Sequence, residues 1–495
     1  MTTATAPPKR YISIHEDCID LLRPTATTSS VAGFRTVARV AAEAGGRAKE
    51  SGNQDQRYFC WRLGEVAELL ANQLEGGDAE TKPIDLPAFV EPPRGTDALL
   101  FGAMKRIESF PPAECTRIAK SAAAGELDSL VLRVDTIHDK GGEKSVKRAV
   151  VAVWCNQLPE GHVVWINDAT ASYDELKAIV PGLIDATPEG RIEKRHPEIQ
   201  LPNCDVKQSS APSRVVAVVR AMLEHFPEYP RVGIVAHRKH IPTIDGTARK
   251  GPVLENHYRQ RITKLEYFRS GQSRGSNEWL SKCDCIFVVG TPRVPPTAVR
   301  TRLIQNGNHL AAKRDGLWGR DWWSGLSADG KRYTIKTAGY MDHDWRAAYM
   351  RIVGAELLQS IGRGRAILDE GMPVYVASNE PLELEVRPDI TPLTDGEAKV
   401  LQAVRELTDQ NSKGLEAADY RTKTLRDLLG FRSVSSEAVA SHLSKGVRPV
   451  RRLLSSLSER GLVTRIGERK GWSIPESIST TAPHEDRAGR PAGGP

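Results

Sequence analysis

The sequence predicts an α/β protein built on parallel strands, followed by a small, basic, mainly helical domain. Three observations carry this prediction. Val232-Gly233-Ile234-Val235-Ala236 and Cys285-Ile286-Phe287-Val288-Val289 are unbroken apolar runs, as strands buried on both faces require. Helical spacing recurs between them and on either side, as in Leu63, Val66, Ala67, Leu70 and Leu74. The chain carries 69 Lys/Arg against 62 Asp/Glu, a net charge of +7. Positions 421–478 alone hold twelve basic and five acidic residues, so the excess lies near the C-terminal end.

Taken in order, Tyr11-Ile12-Ser13-Ile14 reads as a short buried strand running into His15-Glu16-Asp17. A helical stretch follows at 63–74. The runs 129–137 and 146–154 then flank Asp139-Lys140-Gly141-Gly142-Glu143, the signature of a hairpin. Glu91-Pro92-Pro93-Arg94-Gly95 reads as a surface turn. Val163-Val164-Trp165-Ile166-Asn167-Asp168-Ala169-Thr170 is a strand ending in Asp-Ala-Thr. The strand at 232–236 runs into the basic cluster Arg238-Lys239-His240. The strand at 285–289 is preceded by Gly271, Gly275 and Asn277 and ends in Gly290-Thr291-Pro292. Glycines before a strand permit close backbone approach to phosphate, and Asn277 can hydrogen-bond across a turn. An apolar helical run then delivers Gln359-Ser360-Ile361-Gly362-Arg363-Gly364-Arg365. A glutamine and two guanidinium forks held rigidly on a helix end suit the reading of a nucleotide and the binding of a triphosphate. A basic loop touching phosphate is the blander reading of the same residues.

Composition narrows the class. At 495 residues, a prior of about 150 per domain gives three. Forty per cent apolar and 26 per cent charged residues are ordinary globular values. The seven cysteines are odd in number and lack Cys-x-x-Cys spacing, which argues for reduced thiols in cytoplasm and against a zinc site; no metal ligand set is predicted. The first ten residues have no signal-peptide character. No apolar run approaches the eighteen or so residues of a membrane span, so no membrane partner is expected.

The motifs, in this order, resemble the C-terminal portion of superfamily 2 helicases and translocases of phage, plasmid and mobile-element type. Gln359-x-x-Gly362-Arg363 resembles motif VI, with Arg365 two residues after Arg363 rather than the usual three. The strand at 232–236 resembles motif IV, the Gly-Thr-Pro strand motif V, and Asp168-Ala169-Thr170 motif III. His15-Glu16-Asp17 resembles motif II, with Glu16 in the place of the water-orienting glutamate. His15 stands where a magnesium-linked aspartate belongs, and imidazole is a poor partner for that hard cation. A solvated turn after an edge strand is the alternative there. The resemblance implies a RecA-like core: a partial first domain over 11–172 and a complete second one over 173–385. It implies catalytic roles for Glu16, Arg363 and Arg365. Nucleotide contacts and coupling would fall to Gln359, Gly362, Asp168, Thr170, Gly275 and Asn277.

The phosphate-binding loop of that family is absent from this sequence. Its nearest match, Gly325-Leu326-Ser327-Ala328-Asp329-Gly330-Lys331-Arg332, has Arg332 in place of the magnesium-binding hydroxyl. Tyr333 to Thr337 then alternate like a strand, so a hairpin turn is expected. ATP and Mg are therefore implied as cofactors only where a P-loop comes from another half or chain. A separate P-loop or primase-helicase subunit is the matching partner.

The basic segment has its own pattern. Thr394-Asp395-Gly396-Glu397 opens a helix whose Val400, Leu401, Val404 and Leu407 share a face. A second helix is predicted over 436–443 and a third from Pro449, with Val450, Leu453, Leu454 and Leu457 inward. Two short strands then flank Gly467-Glu468-Arg469-Lys470-Gly471. The segment 386–478 resembles winged helix-turn-helix domains. That resemblance implies DNA contacts from Arg448, Arg451, Arg452, Ser455, Arg465, Arg469 and Lys470. A protein-docking module is the alternative for such a domain. The ends, 1–10 and 479–495, read as disordered tails. The function expected is that of a helicase-like DNA-binding protein of replication or mobile-element type, with a non-catalytic DNA-binding or interaction protein as the second class.

Overall fold

The computed structural model describes residues 10–15, 18–77, 80–138, 144–158, 162–167, 173–185, 194–270, 278–416, 434–459, 462–465 and 471–473. Two compact units emerge. One comprises Met1–Lys194, Pro292–Ser324 and Thr334–Gly362; the other comprises Arg195–Thr291, Gly325–Tyr333 and Arg363–Pro495. Neither is continuous in sequence, whereas the sequence suggested continuous segments divided at 172 and 385.

The first unit begins with β1 (Arg10–His15) and α1 (Cys18–Leu22). Next come β2 (Thr25–Thr28), α2 (Val31–Glu50), α3 (Gln54–Glu75), β3 (Lys82–Pro83), α4 (Thr96–Arg106) and α5 (Ala113–Ala124). The hairpin strands β4 (Leu127–His138) and β5 (Lys144–Trp154) follow, then β6 (His162–Asn167) and α6 (Tyr173–Ile179). β1 and β6 pair in parallel with their ends in register, His15 opposite Asn167. The chain between them forms an antiparallel sheet in the order β2-β5-β4-β3, packed against α2 to α5 with a core of its own. Side-chain caps fix where its helices start: Ser30 Oγ accepts from Gly33 N–H at 3.0 Å, and Asn53 Oδ1 from Gln56 N–H at 3.0 Å. The predicted face of α3 is inside, with Leu63, Val66, Ala67 and Leu70 no more than 1% exposed. Small residues on α2, including Ala38, Ala41 and Ala44, let α3 approach closely.

The second unit takes up the chain with β7 (Glu198–Gln200), α7 (Pro212–His225), β8 (Val232–Ala236), α8 (Ile241–Asp245), α9 (Asn256–Arg259) and β9 (Ile262–Tyr267). α10 (Glu278–Lys282) leads into β10 (Cys285–Val289). The chain then returns to the first unit for α11 (Pro296–Gln305), α12 (His309–Lys313), most of the hairpin β11 (Trp318–Leu326) and β12 (Arg332–Tyr340), and α13 (His343–Gly362). α11 is pinned there by a buried ion pair: Arg300 NH1 donates to Asp135 Oδ1 at 2.7 Å, with both residues no more than 5% exposed. Arg133 Nε donates to the other oxygen, Oδ2, at 2.8 Å.

β13 (Val374–Ala377) and β14 (Glu385–Val386) complete the sheet of the second unit. Six strands run parallel in the order β14-β7-β13-β10-β8-β9. Every residue of β8, β10 and β13 is buried, which explains why these strands read as continuous apolar runs. α7 covers one face through Val215, Val218, Val219 and Met222. The unit ends with α14 (Asp395–Glu416), α15 (Ser436–His442), α16 (Val447–Glu459), and the antiparallel strands β15 (Thr464–Arg465) and β16 (Trp472–Ser473). The architecture is thus mixed α/β, with both parallel and antiparallel pairing. Among the described residues, no helix is long and apolar enough to cross a membrane.

Candidate functional site

Ligands of open parallel sheets gather at the carboxyl ends of the strands, and in the second unit that edge is polar and closed. β10 ends in Gly290 with φ +102, a conformation that side chains rarely adopt. An added Cβ would collide with the carbonyl oxygen of Val206 and lie 3.2 Å from the His237 ring. Gly290 thereby turns Thr291 inward, fully buried, where its hydroxyl donates to Asp205 Oδ1 at 2.7 Å. With that proton committed, the 2.8 Å contact between the hydroxyls of Thr291 and Ser378 has Ser378 as donor. Glu380 N–H donates to Ser378 Oγ at 3.2 Å, and Gln200 Nε2 donates to the carbonyl of Ser378 at 2.7 Å. The chain of bonds runs in one direction and locks together the ends of β7, β10 and β13. His240, 2% exposed, sets Nε2 at 2.9 Å from the Lys207 carbonyl, so Nε2 carries the proton. Burial lowers its pKa, against the opposing pull of that hydrogen bond.

The Gln359–Arg365 stretch is divided between the units. Gln359, half-buried, and Gly362, exposed, end α13 in the first unit; Arg363 and Arg365 open the following stretch of the second. The Arg363 guanidinium lies 5.4 Å from the ring centroid of Trp279, itself fully buried beside Gly233 of β8. Arg365 has φ +45, in the left-handed region. Its carbonyl accepts from Leu368 N–H at 2.8 Å, Gly364 O accepts from Met372 N–H at 2.8 Å, and Gly371 leaves room for the Arg365 carbonyl. Ala366 O accepts from the amides of Arg195 and His196. A short loop closed by so many bonds presents Arg365, half-exposed, from a fixed backbone.

The remaining residues expected at a nucleotide site, Glu16, Asp168, Thr170, Gly275 and Asn277, lie outside the described residues. What precedes two of them is described: Glu16 and Asp168 each follow directly after the paired ends of β1 and β6. The segment compared above with a phosphate loop is a hairpin turn, Ser327 N–H bonding to Lys331 O at 3.0 Å with Gly330 at φ +77.

The C-terminal elements assemble around one core. Thr394 and Glu397 form a capping box on α14: Thr394 N–H donates to Glu397 Oε2 at 2.8 Å, and Glu397 N–H to Thr394 Oγ1 at 3.2 Å. Ser456 of α16 donates to the same carboxylate at 2.7 Å, so the cap also ties two helices together. Of the four residues predicted inward, Val450, Leu454 and Leu457 are fully buried and Leu453 is half-buried, while Arg448, Arg451, Arg452 and Ser455 are exposed on the other side of α16. α16 starts at Val447, two residues before Pro449. Arg451 pairs with Glu437 of α15, whose carboxylate pKa is held down first by its own backbone amide and then by this exposed bond. β15 and β16 pair Arg465 with Trp472, and Trp472 also bridges to Val434. The Arg465 guanidinium sits 6.0 Å from the Trp472 ring. Arg469 and Lys470 lie outside the described residues.

One feature of the first unit had no signal in the sequence. Glu175, buried at the start of α6, accepts from Arg351 NH1 at 2.7 Å and from the amide of Asn306, beside a cavity of about 270 Å³ also lined by Arg23 and Asp344. Its partners lie more than a hundred residues away along the chain, so local pattern could not reveal them. No protein-family model matches this sequence, and comparison with curated proteins finds no relative.

Proposed function

We propose that this chain is a helicase-like DNA-binding protein of replication or mobile-element type, with a RecA-like second core domain and a winged helix-turn-helix domain. The observation that carries the reading is α16: its apolar stripe is buried, and four polar or cationic residues line its free side next to a two-stranded hairpin. That is the composition of a groove-entering helix with a wing. The exposed Arg451–Glu437 pair is weak, so a DNA phosphate could replace the glutamate at little cost. The parallel sheet and the motif order support the core assignment, with Arg363 and Arg365 as the residues that would meet a nucleotide. This sequence carries no Walker A loop, so ATP and Mg would bind where another segment or subunit supplies that clamp.

A second reading, a non-catalytic DNA-binding protein with a helicase-derived scaffold, is favoured by one observation. The hydroxyls at the sheet edge are fully buried and spent on one another. Duplex binding by the full chain, followed by anisotropy across a salt series, tests what the two readings share. Arg451→Ala/Arg452→Ala should weaken binding on all sequences and flatten the salt slope by about one per lost phosphate contact. Unchanged affinity and slope would turn the C-terminal domain into a protein-docking module. ATP turnover by the isolated chain, absent on either reading, appears on the first when a P-loop partner is added.

A further inference from the structure

Trp322 is 57% exposed and Trp318 42% exposed, both on the same strand, β11. β11 alternates strictly: Trp318, Arg320, Trp322 and Ser324 face solvent, while Gly319, Asp321 and Trp323 are half-buried. The bonds Ser327 N–H to Lys331 O and Met341 N–H to Leu317 O define a single register for the hairpin, which sets Lys336 opposite Trp322. The Lys336 ammonium is 5.8 Å from the Trp322 ring centroid. The outer face therefore reads ring, guanidinium, ring along one strand, with an ammonium beside the second ring. Alternate residues on a strand are about 6.6 Å apart, so the rings are separated by about 13 Å with Arg320 between them.

Among the described residues of β11 and β12, the charges on this face are all positive. Asp321 points to the opposite side and pairs with Arg346. Arg320 makes no hydrogen bond or ion pair among the described residues. Trp318 is braced edge-on by Tyr340 at 4.9 Å and Tyr349 at 5.3 Å, which fixes the ring while leaving much of it open. Stacking on flat rings needs base faces that are not already stacked, and cations between the rings match phosphates along an extended backbone. A duplex offers no such faces.

We propose that the outer face of this hairpin is a stacking platform for single-stranded nucleic acid. Trp318 and Trp322 take base faces, and Arg320 and Lys336 take phosphates. The inference deepens the nucleic-acid reading above but places the single strand on the first unit, on residues apart from the α16 cations.

The test uses the full chain, a fluorescent oligothymidylate and, in parallel, a labelled duplex. Trp322→Ala should weaken single-strand binding by about tenfold, and Trp322→Phe should restore most of it. Arg320→Ala should lower the single-strand salt slope by about 0.7. Both variants should leave duplex affinity unchanged. Trp318 is left in place because its ring also braces the fold. Single-strand affinity unmoved by Trp322→Ala, or no single-strand binding by the full chain, overturns the platform and leaves a protein surface as the reading of the exposed rings. The Arg451→Ala/Arg452→Ala variant separates the two ideas: duplex binding depends on it, whereas the platform predicts intact single-strand affinity.

Discussion

Replacing Gly290 by alanine probes the geometry at the end of β10 directly. The residue sits at φ +102, where a non-glycine residue costs about 1–3 kcal/mol. The new methyl group would press on the Val206 carbonyl, which accepts from Thr291 N–H at 3.2 Å, and losing that bond adds about 1 kcal/mol. The expected loss is therefore about 2–4 kcal/mol. For a unit of this size each kcal/mol lowers the melting point by roughly 2–4 °C, so a drop of about 5–15 °C is expected. Because the chain has two units, the melt should be read with hydrogen exchange, which should show β10 and its neighbours losing protection first. Gly354→Ala is the matched control. It lies within α13, where an added Cβ meets nothing within 4 Å, so the same substitution should stabilise by about 0.5–1 kcal/mol. A Gly290→Ala protein that melts within about 2 °C of the parent would refute the reasoning, since the strain and the lost bond would then have been relieved elsewhere.

Asp135→Ala should destabilise the first unit by about 1–3 kcal/mol, because buried Arg300 keeps only the exposed carboxylate of Asp315 and Arg133 loses its ion pair; Asp135→Leu combined with Arg300→Met should recover part of that loss in a denaturant titration. Burial holds the imidazoles of His240 and His309 below their ordinary pKa near 6.5. The unfolded chain then binds more protons than the native one below that pH. Stability is full above about pH 6.5 and falls on acidification, by up to about 1.4 kcal/mol per pH unit for each histidine until its native pKa is reached. Melts from pH 8 to pH 5 check this, and His240→Gln should flatten the slope. Thr394→Ala removes one half of the α14 capping box and should cost about 1 kcal/mol, seen as earlier melting of the C-terminal helices.

How much of this was legible depends on how local the cause is. β8 and β10 announced themselves because strands buried on both faces need no polar alternation. The stripes of α3 and α16 were visible for a related reason, since a helix of that length must hide one side. The discontinuity of the two units was not visible. It rests on pairings such as Arg300 with Asp135 and Glu175 with Arg351, whose members sit in helices and strands that each look complete alone. The hairpin turn at 327–331 was legible through the alternation after it, but exposure of Trp318 and Trp322 was not, because tryptophan in a strand normally signals burial.

The same contrast applies to the two arginines singled out first. Spacing alone cannot say how Arg363 and Arg365 are each held. In the fold, Arg363 is stacked over Trp279, a buried ring that also lies 5.1 Å from the Lys264 ammonium. Moving its guanidinium to a phosphate would forfeit that contact. Arg365 adds a backbone constraint: its φ of +45 is accompanied by bonds to the Gly364, Arg365 and Ala366 carbonyls. A left-handed backbone at a non-glycine residue costs about 1 kcal/mol or more and persists only where its surroundings over-determine it. Glycine at 365 would suit that backbone better, so the guanidinium is what distinguishes arginine from the residue the loop geometry favours. On the proposed reading, Arg365→Gly should weaken nucleotide response in the presence of a P-loop partner, and Arg365→Lys, which keeps the charge but not the fork, should restore only part of it. A nucleotide response unchanged by Arg365→Gly would assign Arg365 a purely structural part in closing the loop.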